Sequence, residues 1–439
     1  MLKRKIYNRL LEWKKSNNKK CLIIKGARQV GKTYIVREFG KKEYENYVEI
    51  NFLIQPELKH IFNDSLSGEV IYKKMSANIP GIKMIPGKTL IFLDEIQACA
   101  NARTSLKFLS EYGKYDVIAS GSLLGLSYGQ DADENVQEVP SIPVGYEQSI
   151  MMYSLDFEEY LWANGYSENT IAYLKEFYDR RETIPYGIHD KYEELVREYI
   201  VVGGMPEVVN NFVEYKDFNR VHEIQTVLIS DYIDDISQHA KGVEKNKVRR
   251  CYDSVPNQLA RENKKFKYSE VEKKSTAKKY MNSIQWLIDA NMVYSCRNLS
   301  EPALPLRYNE KGNEFKIYLN DTGLLMALYG YETKRALFNN TLTGPAKGGI
   351  YENYVAESLI KKGYNLHYFK PNDEMELEFV IEKDGGVVPI EVKAGNNATK
   401  SLNRFIDKYS PKVAYKIMSG NLGTDAIRIS IPHYMVMFV

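Results

Sequence analysis

The chain has 439 residues, of which 44% are hydrophobic and 27% charged. Those shares sit near the averages for soluble globular proteins and exclude disordered and fibrous classes, while the length suggests about three domains. The net charge is only +3, but residues 241–279 carry thirteen Lys and Arg against five Asp and Glu, a local balance of +8 that leaves −5 for the rest.

Cys21, Cys99, Cys251 and Cys296 are scattered without a CxxC pair, and the six histidines form no ligand cluster, so neither zinc nor a disulfide framework is expected. The basic N-terminus has a helical pattern through Ile6, Leu10, Leu11 and Trp13, with no apolar run of signal-peptide length. No segment reaches the ~20 apolar residues of a membrane helix, so a cytoplasmic protein without a membrane partner is expected.

Cys21 to Lys25 is an apolar run of strand length. Gly26-Ala-Arg-Gln-Val-Gly31-Lys32-Thr33 follows it directly, before a helical stretch through Ile35, Val36 and Phe39. Strand, glycine loop and helix in this order make a phosphate cradle: glycines let the backbone wrap an anion, and the helix presents its positive end. Lys32 is expected to reach the β- and γ-phosphates of ATP and Thr33 to ligate Mg²⁺, with Gly26, Gln29, Val30, Gly31 and Tyr34 completing the nucleotide contacts.

A second apolar run, Leu90 to Leu93, ends in Asp94-Glu95. Two carboxylates at the tip of a buried parallel strand suit a P-loop partner, Asp94 holding Mg²⁺ and Glu95 polarising the attacking water. Tyr47 to Phe52 and Tyr115 to Ala119 supply further strands. The latter runs into Ser120-Gly121-Ser122, where Ser122 or Ser120 either senses the γ-phosphate or simply makes a turn.

These residues resemble the bacterial and archaeal AAA+ ATPases that carry a GxRQxGKT loop, a strand ending in LDEIQ and a following SGS, here Gly26 to Thr33, Leu93 to Gln97 and Ser120 to Ser122. Tyr153 to Trp162, Val202 to Glu207 (VGGMPE) and Tyr318 to Leu325 (YLNDTGLL) also look like that family, so the resemblance covers nearly the whole chain. It implies an ATPase domain over residues 1–160 and an arginine finger or sensor, which no motif places here; Arg28 lies inside the loop. An oligomer is compatible with such a domain, but a hexamer does not follow from the fold alone.

The acidic stretch Asp131 to Pro143 has no helical or strand period and reads as a mobile loop. Residues 161–240 alternate helical patterns with breaks, and Gly203-Gly204-Met-Pro206 punctuates them, which reads as a helical lid and linker.

Over 241–335, an apolar-periodic helix at Val248 to Leu259, a short helix at Ser269 to Lys274 and a longer one from Thr276 to Ala290 precede two strand patterns, Met292 to Ser295 and Phe315 to Leu319. Ala277, Met281, Ile284 and Ile288 recur at helical spacing as a core stripe, with Lys278, Lys279, Asn282 and Gln285 on other faces. Helix, turn, helix and two-stranded wing is a winged-helix layout, whose second helix enters the major groove, so nucleic acid, DNA rather than RNA, is the expected partner. A helical linker with a solvated charged face is the alternative.

In residues 340–439 a helix near Glu352 precedes Leu377 to Ile381, the turn Asp384-Gly385, and Val388 to Lys393. Strand alternation puts Glu391 and Lys393 on one face, and equal counting from the turn pairs Glu378 with Glu391. Two carboxylates can hold a second divalent metal, Mg²⁺ or Mn²⁺, with a lysine to stabilise developing charge.

The pattern is similar to the PD-(D/E)xK nuclease superfamily, with Glu352 as its helix acid. It departs from that superfamily in having Glu378 where Asp is usual, and in replacing the PD pair by Glu374 to Glu378, where Glu376 competes for the role. An exposed strand of alternating charge is the plainer reading of Ile390 to Ala394.

The expected architecture is therefore α/β: a P-loop AAA+ domain with a parallel sheet, a helical and winged-helix middle, and a restriction-endonuclease-like C-terminal domain. The expected function is ATP hydrolysis coupled to nucleic-acid binding and metal-dependent phosphodiester cleavage. The alternative is an ATP-dependent switch whose C-terminal domain binds without cutting.

Overall fold

A computed structural model describes residues 2–17, 19–122, 145–239, 243–395 and 399–439. The acidic stretch expected as a mobile loop lies outside the described residues. Two compact units partition the chain, one formed mainly by Lys3–Ser154 and the other by Leu155–Ile288 with Met292–Val439.

The first unit is a five-stranded sheet of β1 (Cys21–Gly26), β2 (Asn46–Asn51), β3 (Thr89–Asp94), β4 (Asp116–Ser122) and β5 (Glu147–Met151), ordered β2-β3-β4-β1-β5. All four pairings are parallel. A parallel sheet needs both faces covered, and alternation along the strands divides the apolar residues accordingly. Leu22, Ile24, Leu90, Phe92 and Ile118 pack with the helices Ile6–Lys15 and Lys32–Glu43. Ile23, Ile91, Leu93, Val117 and Ala119 pack with the helices Gly68–Asn78 and Ala100–Tyr112. The sequence did not announce β5, because only Ile150 of its five residues is fully buried.

The second unit begins with five helices, Phe157–Ala163, Glu168–Arg180, Tyr186–Val202, Pro206–Tyr215 and Phe218–His239. The Gly203-Gly204 punctuation separates the third from the fourth, where Pro206 takes a first-turn position that needs no amide hydrogen. Helices Val243–Leu259, Tyr268–Val271 and Ala277–Asp289 follow, then β6 (Val293–Leu299) and β7 (Glu310–Leu319), which pair antiparallel. The phase of the last helix differs from expectation. Its buried face is Tyr280, Ser283, Ile284 and Leu287, and Met281 is 56% exposed. The spacing of four, three, four fits two neighbouring stripes, and the large Tyr280 and Leu287 take the core.

Three more helices, Thr322–Tyr329, Tyr331–Phe338 and Pro345–Lys361, lead to β8 (His367–Asn372), β9 (Met375–Lys383), β10 (Gly386–Val392), β11 (Ala414–Met418), β12 (Gly423–Asp425) and β13 (Arg428–Pro432). These strands join β6 and β7 in one mixed sheet of eight, ordered β12-β13-β11-β10-β9-β8-β6-β7. The two strands expected as a wing thus continue into the C-terminal sheet through the β6–β8 pairing, Arg297 opposite His367. Backbone hydrogen bonding crosses the boundary expected near 335–340. Among the described residues no helix is long and apolar enough to cross a membrane.

Candidate functional site

The P-loop links β1 to helix Lys32–Glu43. Gly31 sits at φ 96°, a left-handed conformation that a side chain would strain, and gives the helix its sharp entry. Gln29 is also left-handed, at φ 62°. Val30 is buried, and its carbonyl accepts from Arg4 Nη1 at 3.1 Å, which pins the loop from behind. Lys32 is 8% exposed, with its amine donating to the carbonyls of Gly26 at 3.1 Å and Ala27 at 2.7 Å. Tyr34 is half exposed on the first turn of the helix.

Asp94, at the end of β3, is 1% exposed and collects three donors. Thr33 Oγ1 lies 3.2 and 3.0 Å from its two oxygens. Asn51, at the end of β2, donates its amide at 2.9 Å, and Ser120 on β4 donates its hydroxyl. A hydroxyl and a buried carboxylate converging from two elements are an oxygen set that fits Mg²⁺, which keeps waters and takes one or two protein ligands. The following residue, Glu95, is left-handed at φ 54° and receives the side-chain amide of Gln97. Such backbone on a non-glycine residue is uncommon and clusters at functional sites.

Of the two serines, Ser120 reaches Asp94; Ser122 holds a backbone place opposite Gly26, and its side chain lies outside the described residues. Asn51 belongs to none of the sequence motifs above. The signal was available in the polar residue closing the apolar alternation of β2, next to the strand that ends in Asp94.

In the second unit, β9 and β10 pair from Gly386 opposite Lys383 to Ile390 opposite Phe379, so Glu391 follows opposite Glu378. The turn between them has Asp384 at φ 49° and Gly385 at φ 69°, the two positive angles of a tight two-residue hairpin. Lys393 Nζ lies 3.1 Å from Glu391 and 3.6 Å from Glu378. Burial pushes the Glu391 carboxyl up to about 7, with Lys393 opposing and Glu378 adding to the rise. Glu378 is raised for the same reason and accepts from the Val392 amide at 3.0 Å. Burial works against the Lys393 charge, yet the two glutamates hold its pKa above the ordinary value.

Glu352, on helix Pro345–Lys361, lines the same cavity as Glu378 and Lys393, but both its oxygens are engaged. Lys316 reaches Oε1 at 2.9 Å beside the Tyr318 hydroxyl, and Lys264 reaches Oε2 at 3.1 Å. Burial would raise this carboxyl; Lys264 and Lys316 outweigh it and hold the pKa at about 2. Glu376 is likewise taken, by Lys316 at 2.8 Å and Lys370 at 2.9 Å.

Among the described residues no three His, Cys, Asp or Glu side chains group as a metal site. Glu378 and Glu391 fit a divalent cation in that they face each other and Glu391 Oε2 is buried without a hydrogen-bond partner among the described residues. Glu352 does not fit as a ligand while two amines hold it.

Residues 18–161 match the family model described as AAA domain, so this segment is an AAA-type P-loop domain. Residues 193–335 and 347–433 match two models each described as a domain of unknown function (DUF8612 and DUF4143). Uncharacterized proteins of Mycobacterium tuberculosis and Mycobacterium bovis are each 33% identical to the chain over 91 residues. That match covers 20% of this chain and 19% of either relative, so the chain spans about a fifth of their length. Among solved structures, a Walker-type ATPase of Pyrococcus abyssi matches with TM-score 0.45 and 14% identity, over 75% of this chain and 96% of that one. AMPPCP-bound DnaA from Aquifex aeolicus matches with TM-score 0.29 and 10% identity, over 65% and 86%.

Proposed function

We propose that the chain binds and hydrolyses ATP and couples this to nucleic-acid binding. The observation that carries the first half is the meeting of Thr33 and Asp94 beside the lysine-bearing loop. Lys32 neutralises the phosphates, Thr33 and Asp94 hold Mg²⁺, and Glu95 orients the attacking water. Phosphoryl transfer asks little of a protein beyond this positioning and charge. Lys32→Ala removes the main cation and is expected to abolish turnover and weaken binding of a labelled ATP analogue, while Glu95→Gln keeps binding and slows turnover. Unchanged affinity in the lysine variant would end the assignment.

The nucleic-acid half is supported by the exposed side of helix Ala277–Asp289, where Lys278, Met281 and Asn282 point to solvent, with Lys274 in the turn before it. A winged-helix module with DNA as its partner is the reading these residues favour.

For the C-terminal acids the nuclease-like reading assigns Glu378 and Glu391 to Mg²⁺ or Mn²⁺, which would activate water, and Lys393 to the charge on a phosphodiester oxygen. The lysines on Glu352 favour the second reading, in which this domain binds without cutting. Incubating the full chain with DNA or RNA and either metal separates them: metal-dependent nicking lost in Glu391→Ala selects the first, and intact substrate with retained binding selects the second.

A further inference from the structure

A cavity of about 380 Å³ opens beside the acid cluster, and its charged lining is Lys264, Lys347 and Lys393 with Glu352 and Glu378. The three amines arrive from separate stretches of sequence. Lys264 follows helix Val243–Leu259, Lys347 stands in the first turn of helix Pro345–Lys361, and Lys393 lies just beyond β10. The two carboxylates are already matched, Glu352 by Lys264 and Lys316, and Glu378 by Lys393. Among the described residues Lys347 has a neutral partner, donating to Asn340 Oδ1 at 2.9 Å. Burial and the nearby Arg197 guanidinium lower its pKa, against a smaller opposing pull from Glu193. The charge missing from this wall of the cavity is negative.

We propose that the cavity receives the phosphorylated end of a single nucleic-acid strand, with Lys347 as its cationic contact and Lys264, whose charge is shared with Glu352, beside it. The proposal rests on the nucleic-acid reading above and adds a place and a chemical group to it. A pocket of this size is at the small end of the range that encloses a small molecule, so it has room for about one nucleotide and excludes a duplex. A phosphate monoester carries up to two charges and three acceptor oxygens, more than a backbone diester offers to a pair of amines. Lysine suits this task as a point charge. Metal is not needed for it, since the amines supply the positive charge that a cation would otherwise bring.

The test uses the full chain carrying Lys32→Ala, so that the P-loop does not compete for phosphate, in buffer containing EDTA. Fluorescence anisotropy compares a labelled single strand bearing a terminal phosphate with the same strand ending in hydroxyls. The phosphorylated strand is expected to bind about tenfold tighter, the worth of roughly one charge-assisted hydrogen bond. Lys347→Gln should erase that preference and leave the hydroxyl-ended strand unaffected, and Lys347→Arg should restore much of it. Lys264→Gln should also reduce the preference, but it uncovers Glu352 Oε2 as well, so Lys347 decides. Equal binding of the two strands overturns end recognition alone, as does a preference that survives Lys347→Gln. No binding of either strand overturns the nucleic-acid reading and this proposal with it.

Discussion

The side-chain nitrogen of Asn51 donates to Asp94 Oδ2 at 2.9 Å, while its Oδ1 accepts from the backbone amides of Leu53 and Ile54 at 3.0 Å each. One side chain therefore joins the carboxylate proposed to hold Mg²⁺ to an apolar tip whose Leu53 is 55% and Ile54 74% exposed. Asn51→Ala removes a hydrogen bond to a charged group, worth roughly 1.5–3 kcal/mol. ATP turnover should fall about tenfold or more if that bond fixes Asp94 in the reacting geometry. Affinity for ATP should change little, because Lys32 and the loop hold the phosphates. Parallel turnover and binding titrations decide it: unaltered turnover would leave Asn51 a turn-forming residue only.

The basic stretch contains two kinds of lysine, and they should behave differently. Lys279 is tied to Glu272, whereas Lys274 and Lys278 are exposed. Removing one lysine–phosphate pair reduces the slope of log affinity against log salt by about 0.9 on duplex DNA. Lys274→Ala with Lys278→Ala should flatten the slope by up to about 2, and Lys279→Ala by much less. An identical slope in the parent and the double variant would make this helix a solvated linker.

The P-loop, the Asp94-Glu95 strand end and the Glu378–Glu391 hairpin were legible because each is local. A glycine loop sits between its own strand and helix, and a two-residue turn fixes the register of the strands around it. Partnerships across the chain were not legible. Nothing near Glu352 announces that Lys264 and Lys316, some 88 and 36 residues upstream, will take both its oxygens. Nor does the β6–β7 hairpin carry a signal that its strand β6 will pair with β8. The helix Ala277–Asp289 is legible but its buried face is offset by one position from the apolar spacing, since Met281 is as apolar as a core residue while Tyr280 takes the buried place.

The VGGMPE and YLNDTGLL motifs, far apart in sequence, interlock. Asp321 caps helix Thr322–Tyr329 through the Leu324 amide at 3.2 Å and also accepts from the Gly204 amide at 2.8 Å. A Cβ on Gly323 would stand 2.5 Å from the Val202 carbonyl oxygen and 2.6 Å from Gly203 Cα, both backbone atoms that cannot step aside. Gly323→Ala should therefore cost about 3 kcal/mol, the upper range for overpacking, read as a lowered urea midpoint. A loss within about 0.5 kcal/mol, the usual size of a surface change, would show that the two segments can separate cheaply.

The Glu391 carboxyl, pushed up to about 7 by burial with Glu378 beside it, ties folding to pH with a definite sign. Its ordinary value is 4.5. Below that value both folded and unfolded chains hold the proton and the group costs nothing. Between 4.5 and about 7 the unfolded chain releases the proton and the folded chain keeps it, so this group's contribution falls as pH rises and levels off above about 7. At 1.36 kcal/mol per unit the full loss is on the order of 3 kcal/mol. Glu391→Gln imitates the protonated form, so its stability relative to the parent should climb across that window and stay flat above it. The pull of Lys393 on the ionised carboxylate is already contained in that raised value, so it adds no separate offset between the two curves. Chemical denaturation of both proteins between pH 4.5 and 8 measures the difference directly. Parallel curves would mean that Glu391 is ionised throughout and that Lys393 alone compensates its burial.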